Sequence, residues 1–233
     1  MTAPTAPSLV DTRSPTAPFP LRRAGLVAIT ALGPLSIAAI RALLPYASTD
    51  GAGTITANVA AHQTAQAAVL WLALLAMAIL IPNVLTIGQL AYRHSRRLGA
   101  AGTVLAIIGF SFLGVISAVD FTALAAAKSG VGLAAATSVV DGVNGEPTVI
   151  VGTMLFVLGH VLGVTLLGVA FLKARLIPRA AAWALTVSQP LHFVFAVVVP
   201  SNVLDAAAWG LTTIGFAAAA FAVTRPEMRF QVS

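Results

Sequence analysis

Cysteine is absent from the 233 residues, and charged residues make up only 9% of them. The lack of cysteine excludes disulfides, iron–sulfur clusters, thiolate zinc sites and cysteine nucleophiles. A soluble domain carries about 25% charged residues, whereas this chain is 58% hydrophobic and has a mean hydropathy of +0.95. Because so little polar surface is available to face water, the composition predicts an integral membrane protein.

Six apolar segments are long enough to cross a bilayer, which takes about 20 residues. They predict an all-α fold, a polytopic bundle of six transmembrane helices that occupies residues 22–226. A disordered tail rich in Pro, Thr and Ser is predicted at residues 1–21, and a short C-terminal tail at residues 227–233. The predicted spans are 24–45, 59–91, 101–127, 148–172, 180–200 and 203–224.

Basic residues predict how the bundle is oriented. If the N-terminus lies in the cytoplasm, eleven Lys and Arg residues fall on the inner side and only Arg41 and Lys128 on the outer side. This bias predicts a multi-pass protein of the cell membrane with both termini cytoplasmic. The net charge of +6 therefore serves orientation, and we expect the lipid bilayer rather than nucleic acid as partner. The longest outer connection, 128–147, is interpreted as an interfacial helix, a lid or an ordered loop.

Proline and glycine positions predict local features of the spans. Pro34, Pro82 and Pro190 fall inside spans, where a proline frees a backbone carbonyl that then faces protein or a cavity rather than lipid. We expect a kink or tilt at Pro82, in the longest span. Gly159 and Gly163 form a GxxxG motif, which is typical of close helix packing.

Two segments carry a resemblance. LRRAGLVAI, which opens the first span, and ARLIPRAAAWALTV, which joins spans four and five, resemble an uncharacterised family of six-helix bacterial integral membrane proteins. The resemblance implies the six-helix membrane fold and brings no activity with it.

Polar residues within the spans are the candidates for function. Asp120 interrupts the apolar stretch GVISAVDFTALAAA, about 10 Å from the outer end of span three. His62 and Gln66 are four residues apart and are expected to share a helix face. His160, Gln189 and His192 lie at middle to outer depth in spans four and five. We expect these groups to line a cavity that opens toward the outer leaflet.

This inventory suggests acid catalysis on a lipid-soluble substrate. An apolar pocket keeps a carboxylic acid protonated, and aromatic faces stabilise cations. The hypothesis is a membrane enzyme acting on an isoprenoid, an acid-initiated terpene cyclase, with Asp120 as proton donor, His62 or His160 reloading the proton, and no cofactor. Small integral-membrane terpene cyclases are similar in architecture, and Asp205 or Asp50 would be the second carboxylate that they use. The expected substrate contacts are Gln66, Phe121, Gln189, His192 and Trp71.

Three alternatives stay open at this point. Asp120 can be one half of a structural Asp–His or Asp–Arg pair. The protein can bind or transport a small molecule without chemistry. It can also be a metal or haem protein that uses His62, His160 and His192 as ligands, although the HxxxH pair of ceramidase-type membrane hydrolases is absent from the chain.

Overall fold

The structure is a computed structural model that describes residues 20–225. These residues form α-helices joined by short connections, with one π-helical segment and, within this range, no β-strand. The helices are α1 (Pro20–Leu43), α2 (Ala52–Ala61), α3 (Gln63–His94), α4 (Arg96–Ser111), α5 (Leu113–Ile116), α6 (Ala118–Lys128), α7 (Leu133–Gly145), α8 (Pro147–Ala174), α9 (Arg179–Phe193), the π segment (Val194–Val198) and α10 (Asn202–Val223).

Six stretches of helix are long and apolar enough to span a membrane, which confirms the predicted all-α six-helix bundle. The third span combines α4, α5 and α6, and the fifth combines α9 with the π segment. The predicted tails at 1–21 and 227–233 lie outside the described residues, apart from the first two residues of α1. The spans are Arg22–Leu43, Gln63–His94, Arg96–Lys128, Pro147–Ala174, Arg179–Val198 and Asn202–Val223.

The second span begins later than predicted, because the helix is interrupted at His62. This residue has φ −126° and ψ 42°, and it separates the short helix α2 from the long helix α3. The expectation that His62 and Gln66 share a helix face was therefore wrong: His62 is exposed, whereas Gln66 is fully buried. The predicted connection at 128–147 contains a helix, α7.

Helices α2 and α7 pack on each other and on α6, and together they cover one end of the bundle. A hydrogen bond of 2.8 Å joins the hydroxyls of Thr56 on α2 and Thr137 on α7. Because the helix is interrupted at His62, the ten residues of α2 form a separate element that contributes to this cover. The opposite end of the bundle carries most of the described basic residues and is called the basic end below.

Glycine brings α4 and α8 into backbone contact. A Cβ atom added to Gly159 would meet the Cα of Gly109 at 2.6 Å, and one added to Gly163 would meet the Cα of Ala106 at 2.7 Å. A Cβ added to Gly102 would in turn meet the carbonyl of Gly163 at 2.9 Å. The interpretation of the GxxxG motif as a close packing face is therefore confirmed.

A side chain from α3 satisfies the carbonyl that Pro34 frees in α1. Because Pro34 has no N–H, the carbonyl of Thr30 four residues earlier loses its intrahelical donor. Asn83 of α3 donates from Nδ2 to this carbonyl at 3.2 Å and to the carbonyl of Ile29 at 3.1 Å. The freed carbonyl thus faces protein, as expected in a membrane. Helix α3 itself continues unbroken through Pro82.

Two clusters of buried apolar side chains form the core, and a cavity lies where they meet. The larger cluster joins α1, α3, α4, α8, α9 and α10 and includes Phe156 and Trp209. The smaller cluster lies toward the α2–α7 cover and includes Tyr46 and Val69. Residues of both clusters line the cavity, so that its walls are held by the packing of the whole bundle.

Candidate functional site

A cavity of about 320 Å³ opens among the helices in the half of the bundle that α2 and α7 cover. Its volume falls at the lower end of the range for small-molecule sites, about 300–1,000 Å³. Most of its wall is apolar or aromatic, as in typical ligand pockets. The polar or charged lining residues are Arg41, Tyr46, Ser48, Ser117, Asp120, Asn144, Thr153 and His192.

Asp120 lines this cavity and is held by two donors. Tyr46 donates its hydroxyl proton to Asp120 Oδ1, and Gln66 donates from Nε2 to the same oxygen at 2.6 Å. Within residues 20–225, no donor bonds to Oδ2 of Asp120. The two carboxyl oxygens are therefore unequal: Oδ1 is engaged by the protein, and Oδ2 is available to a bound molecule.

The break at Ser117 determines where Asp120 sits on its helix. The hydroxyl of Ser117 donates to the carbonyl of Leu113, four residues earlier, at 2.9 Å. The hydroxyl of Ser111 donates in the same way to the carbonyl of Ile107 at 2.7 Å. Such back-bonding often bends helices, and span three is here divided into α4, α5 and α6. Asp120 consequently lies in the first turn of α6, where the helix dipole favours negative charge.

Tyr46 is positioned by α10 across the bundle. Asn202, the first residue of α10, donates from Nδ2 to the carbonyls of Leu44 and Tyr46 at 3.0 and 2.9 Å. These bonds fix the connection that follows α1 and point the phenol at Asp120. Burial, followed by the charge of the Asp120 carboxylate, raises the pKa of Tyr46 above its ordinary value. The phenol thus stays protonated and acts as a donor.

A second carboxylate, Asp205 of α10, is completely buried beside the cavity. Its Oδ2 forms an ion pair with Nε of Arg41, and its Oδ1 lies 2.5 Å from Nδ1 of His192. Arg41 also donates from a terminal nitrogen to the Ser48 hydroxyl at 2.7 Å. A buried carboxylate with such partners is compensated by charge and hydrogen bonds, as a membrane interior requires. Arg41 and His192 both line the cavity, so that Asp205 contacts two of its lining residues without lining it itself.

The Nδ1 atom of His192 has two competing partners. Trp209 Nε1 lies 3.1 Å from it, and an indole N–H can only donate. Nδ1 therefore accepts from Trp209 when it is unprotonated and donates to Asp205 when it carries a proton, but it cannot do both. The position of the proton on the His192 ring therefore decides which of the two hydrogen bonds forms.

An aromatic stack forms the wall behind His192. The ring of His160 lies 5.3 Å from that of His192, 5.7 Å from that of Trp209 and 4.3 Å from that of Phe156, measured between centroids. His160 Nδ1 lies 2.5 Å from the carbonyl of Phe156, so that this nitrogen is the protonated one. Nε2 of His160 is buried and has no hydrogen-bond partner in the described part of the chain.

The structure brings only part of the predicted site together. Asp120 and His192 line the cavity, Gln66 bonds to Asp120, and His160 stands in the layer behind His192. Gln189 is buried but donates to the hydroxyl of Thr212 at 2.7 Å, away from the lining residues.

Three residues predicted for the site point away from the cavity. Trp71 is 73% exposed and Phe121 is 45% exposed, on the outer surface of the bundle. His62 is exposed as well, and its Nδ1 lies 2.9 Å from the carbonyl oxygen of Asn58. Trp71 and Phe121 face outward because of how their helices are rotated, and His62 does so because the helix is interrupted there. The periodicity of the sequence alone would not have excluded these three residues from the site.

Tyr46 is the main site residue that the sequence analysis missed. It lies three residues after α1, beyond the predicted transmembrane helix, and so was not considered among the intramembrane polar groups. The signal that points to it is depth: spans one and three run in the same direction, so a tyrosine just after span one stands level with a carboxylate near the end of span three.

The three histidines proposed as metal or haem ligands are not assembled. Within residues 20–225, no three His, Cys, Asp or Glu side chains are grouped so that they could hold a metal ion. His62 lies outside the cavity, and the rings of His160 and His192 pack directly against each other rather than across a gap. Trp209 contacts both rings and occupies the space beside them.

The chain matches no protein-family model, and no curated protein or solved structure is similar to it. The geometry of the cavity and its side chains is therefore the basis for any functional conclusion.

Proposed function

We propose that this protein is a membrane enzyme that protonates an isoprenoid or similar lipid-soluble substrate, with Asp120 as the proton donor. The observation that carries the proposal is the unequal bonding of the Asp120 carboxyl group. Tyr46 and Gln66 both donate to Oδ1, so that an acidic proton would reside on Oδ2, the oxygen without a donor. Acid–base groups of this kind need a fixed orientation toward the reacting atom.

The chemistry that fits is addition of a proton to an alkene or epoxide. The Oδ2–H bond breaks, a new bond to hydrogen forms on the substrate, and a carbocation develops in the cavity. Phe156, Trp209 and Tyr46 provide aromatic faces that stabilise positive charge. After cyclisation or rearrangement the substrate loses a proton, and His192 is the cavity base that would take it. His192 then gives this proton to solvent and Asp120 regains one from solvent, which closes the cycle. The product is then an isomer of the substrate.

The two carboxylates support this assignment. Asp120 belongs to α6 and Asp205 to α10, which matches the use of two carboxylates on different helices by small membrane terpene cyclases. Asp205 is engaged by Arg41 and His192, whereas the donors that bond to Asp120 in the described part of the chain are both neutral. Their surroundings therefore assign them different roles: Asp120 as the acid, and Asp205 as the group that orients His192.

Access from the bilayer is compatible with a lipid-soluble substrate. Phe193 and Val197, next to and within the π segment, line the cavity and are also exposed on the outer surface of the bundle, at 40% and 47%. The π segment packs on α9 and α10, and π-helical turns are frequent at functional sites. A molecule dissolved in the hydrocarbon could thus reach Asp120 without passing through water.

A second candidate is a binding or transport protein without chemistry. The two donors on Asp120 Oδ1 also suit an ionised carboxylate, which would bind a ligand that donates hydrogen bonds or carries positive charge. The glycine-mediated contact of α4 and α8 closes the bundle beneath the cavity, which favours binding from one side over transport.

The decisive experiment compares Asp120→Asn and Asp120→Glu with Asp141→Asn, a control on the exposed face of α7. Lipid extracts from cells that express each protein are analysed by mass spectrometry after growth in H₂O and D₂O. Wild-type protein should produce an isomer of unchanged mass that gains one deuterium in D₂O. We expect Asp120→Asn to lower its formation by about 10² or more, while Asp120→Glu keeps part of it and Asp141→Asn is unaffected.

Thermal unfolding in detergent distinguishes catalysis from structure. Asparagine matches the protonated acid in size and in lack of charge, and its Oδ1 can still accept from Tyr46 and Gln66, so Asp120→Asn should melt near the wild-type temperature. A folded Asp120→Asn protein with unchanged product formation would overturn the proposal. The binding protein would be supported instead if wild-type protein forms no deuterated isomer and a folded Asp120→Asn protein loses ligand binding.

A further inference from the structure

A second cavity lies at the basic end, on the far side of the bundle from Asp120. It has a volume of about 490 Å³ and is formed where α8 ends and α9 begins. Three cationic side chains line it, Lys173, Arg175 and Arg179, and all three are exposed. The other lining residues are Phe171, Leu172, Ile177, Ala182 and Trp183.

The charge in this cavity has no counterpart in the described structure. No hydrogen bond or ion pair joins Lys173, Arg175 or Arg179 to another side chain within residues 20–225. The five acidic residues of this range lie toward the opposite end, in α6, α7, α10 and the connections before α2 and α8. The positive-inside rule explains why the residues are basic, but it does not require them to converge on one cavity.

The backbone of Arg175 is the second observation. It has φ +54° and ψ +37°, in the left-handed region, and no other non-glycine residue in the described range has a positive φ. Glycine is the usual residue at this position after a helix, because a Cβ is unfavourable there. Arg175 lines the cavity and adopts this conformation at some cost to the fold. Such a conformation supports a role for the side chain itself.

Helix α9 adds further donors. Its preceding residue, Pro178, provides no side-chain cap, so that the first N–H groups of α9 open toward the end of the bundle without an intrahelical acceptor. Together with the two guanidinium groups and the ammonium group, they present hydrogen-bond donors of the kind that phosphate oxygens accept. Trp183 is 50% exposed beside them, and tryptophan prefers the level of lipid headgroups.

We infer that this cavity binds the phosphate headgroup of an anionic phospholipid from the surrounding leaflet. The cationic groups and the start of α9 contact the phosphate, and the apolar residues below them, with Trp183, contact the first part of the acyl chains. Basic pockets between transmembrane helices bind lipid headgroups in this way. The site is distinct from the cavity around Asp120, and it does not depend on the function proposed there.

Quenching of Trp183 fluorescence by brominated lipid tests the inference. Trp71→Phe protein, which removes the most exposed tryptophan, is placed in phosphatidylcholine nanodiscs that contain brominated phosphatidylglycerol or brominated phosphatidylcholine. We expect stronger quenching by phosphatidylglycerol at equal mole fraction. Equal quenching by the two lipids would overturn the inference without any further variant.

Two variants with a matched control locate the site. Arg175→Gly removes the charge and supplies the residue that the backbone favours, so the protein should fold at least as well as wild type. In combination with Arg179→Gln, the preference for phosphatidylglycerol should fall by about fivefold or more for each charge removed. The control Arg93→Gln with Arg97→Gln removes the same charge from exposed residues that do not line the cavity.

The control pair should change the preference by less than about twofold at physiological salt, which screens charges outside the cavity. An equal loss in the control would show a general surface attraction and overturn the specific site. Displacement of the lipid by millimolar inorganic phosphate would assign the cavity to a soluble phosphate instead and overturn the lipid as its occupant.

Discussion

Replacing Asn83 by Leu tests whether α3 supplies the hydrogen bond that Pro34 takes from α1. Leucine has the same number of side-chain heavy atoms and the same branching as asparagine, so the change removes polar contacts without leaving a cavity. In the native structure Nδ2 of Asn83 donates to the carbonyls of Ile29 and Thr30 at 3.1 and 3.2 Å. The carbonyl of Ile29 keeps its own helical donor, the N–H of Gly33, whereas that of Thr30 has none.

The expected cost follows from these two contacts. Side-chain hydrogen bonds within membranes contribute about 0.6 kcal/mol on average and up to about 1.7 kcal/mol, and an unsatisfied buried carbonyl adds about 1–3 kcal/mol. Asn83→Leu should therefore destabilise the protein by about 2–3 kcal/mol. In a Pro34→Ala background, the N–H of residue 34 can bond to Thr30 again, and the same change should cost about 1 kcal/mol less.

A double-mutant cycle of the four proteins, followed by reversible unfolding in detergent micelles, measures this coupling. Thr86→Val on the same helix is the control, because among residues 20–225 the Thr86 hydroxyl bonds to the carbonyl of Pro82 within α3 and to no other group. We expect the control to lie within about 0.5 kcal/mol of wild type. If the costs of Asn83→Leu and Pro34→Ala add within about 0.3–0.5 kcal/mol, then Asn83 does not compensate for the proline and the reasoning is refuted.

Three further predictions concern packing, pH and orientation. Gly109→Ala should destabilise the protein by about 1–3 kcal/mol, because the new Cβ would overlap the backbone of α8, whereas Gly114→Ala, with its nearest neighbour at 3.8 Å, should not; equal melting temperatures would contradict the close contact. The raised pKa of Tyr46 means that its contribution to stability is complete below about pH 10 and is lost as the pH rises further, since the unfolded chain then releases the proton first; a Tyr46→Phe protein should lose less stability over that range, and identical alkaline profiles would count against the raised pKa. Because the chain has no cysteine, Asn144→Cys should react with an impermeant thiol reagent in whole cells and Ser95→Cys should not; the reverse pattern would invert the predicted orientation.

The six spans followed from the sequence because spanning a bilayer is a local property. A segment needs only sufficient length and hydropathy, and each of the six predicted segments overlaps a spanning helix of the structure. The packing role of Gly159 and Gly163 was predictable for a similar reason. Two small residues four apart lie on the same face of a helix and allow another backbone to approach. Pro34 leaves the carbonyl of Thr30 without its helical donor. That this carbonyl faces a protein side chain rather than lipid was also predictable, because lipid offers no hydrogen-bond donors.

The composition of the site depended on tertiary structure. Asp120 was found from sequence because a lone carboxylate among apolar residues is conspicuous, but its partner Tyr46 comes from a connection 74 residues away. The rotation of each helix decides whether a residue lines the cavity, and rotation is set by packing against neighbours rather than by hydropathy. Trp71 and Phe121 face outward for this reason, although their sequence positions suit the cavity equally well.

The sequence by itself thus determined that this is a multi-pass membrane protein and how many spans it has, because those properties depend on the length and hydropathy of single segments. Only the tertiary structure decided which polar groups meet. The sequence suggested Asp205 only as one of two choices for a second carboxylate, and in the bundle it is buried because Arg41 and His192, from two other helices, compensate its charge. A buried charge is stable only beside its partners, and those partners are fixed by how the helices pack.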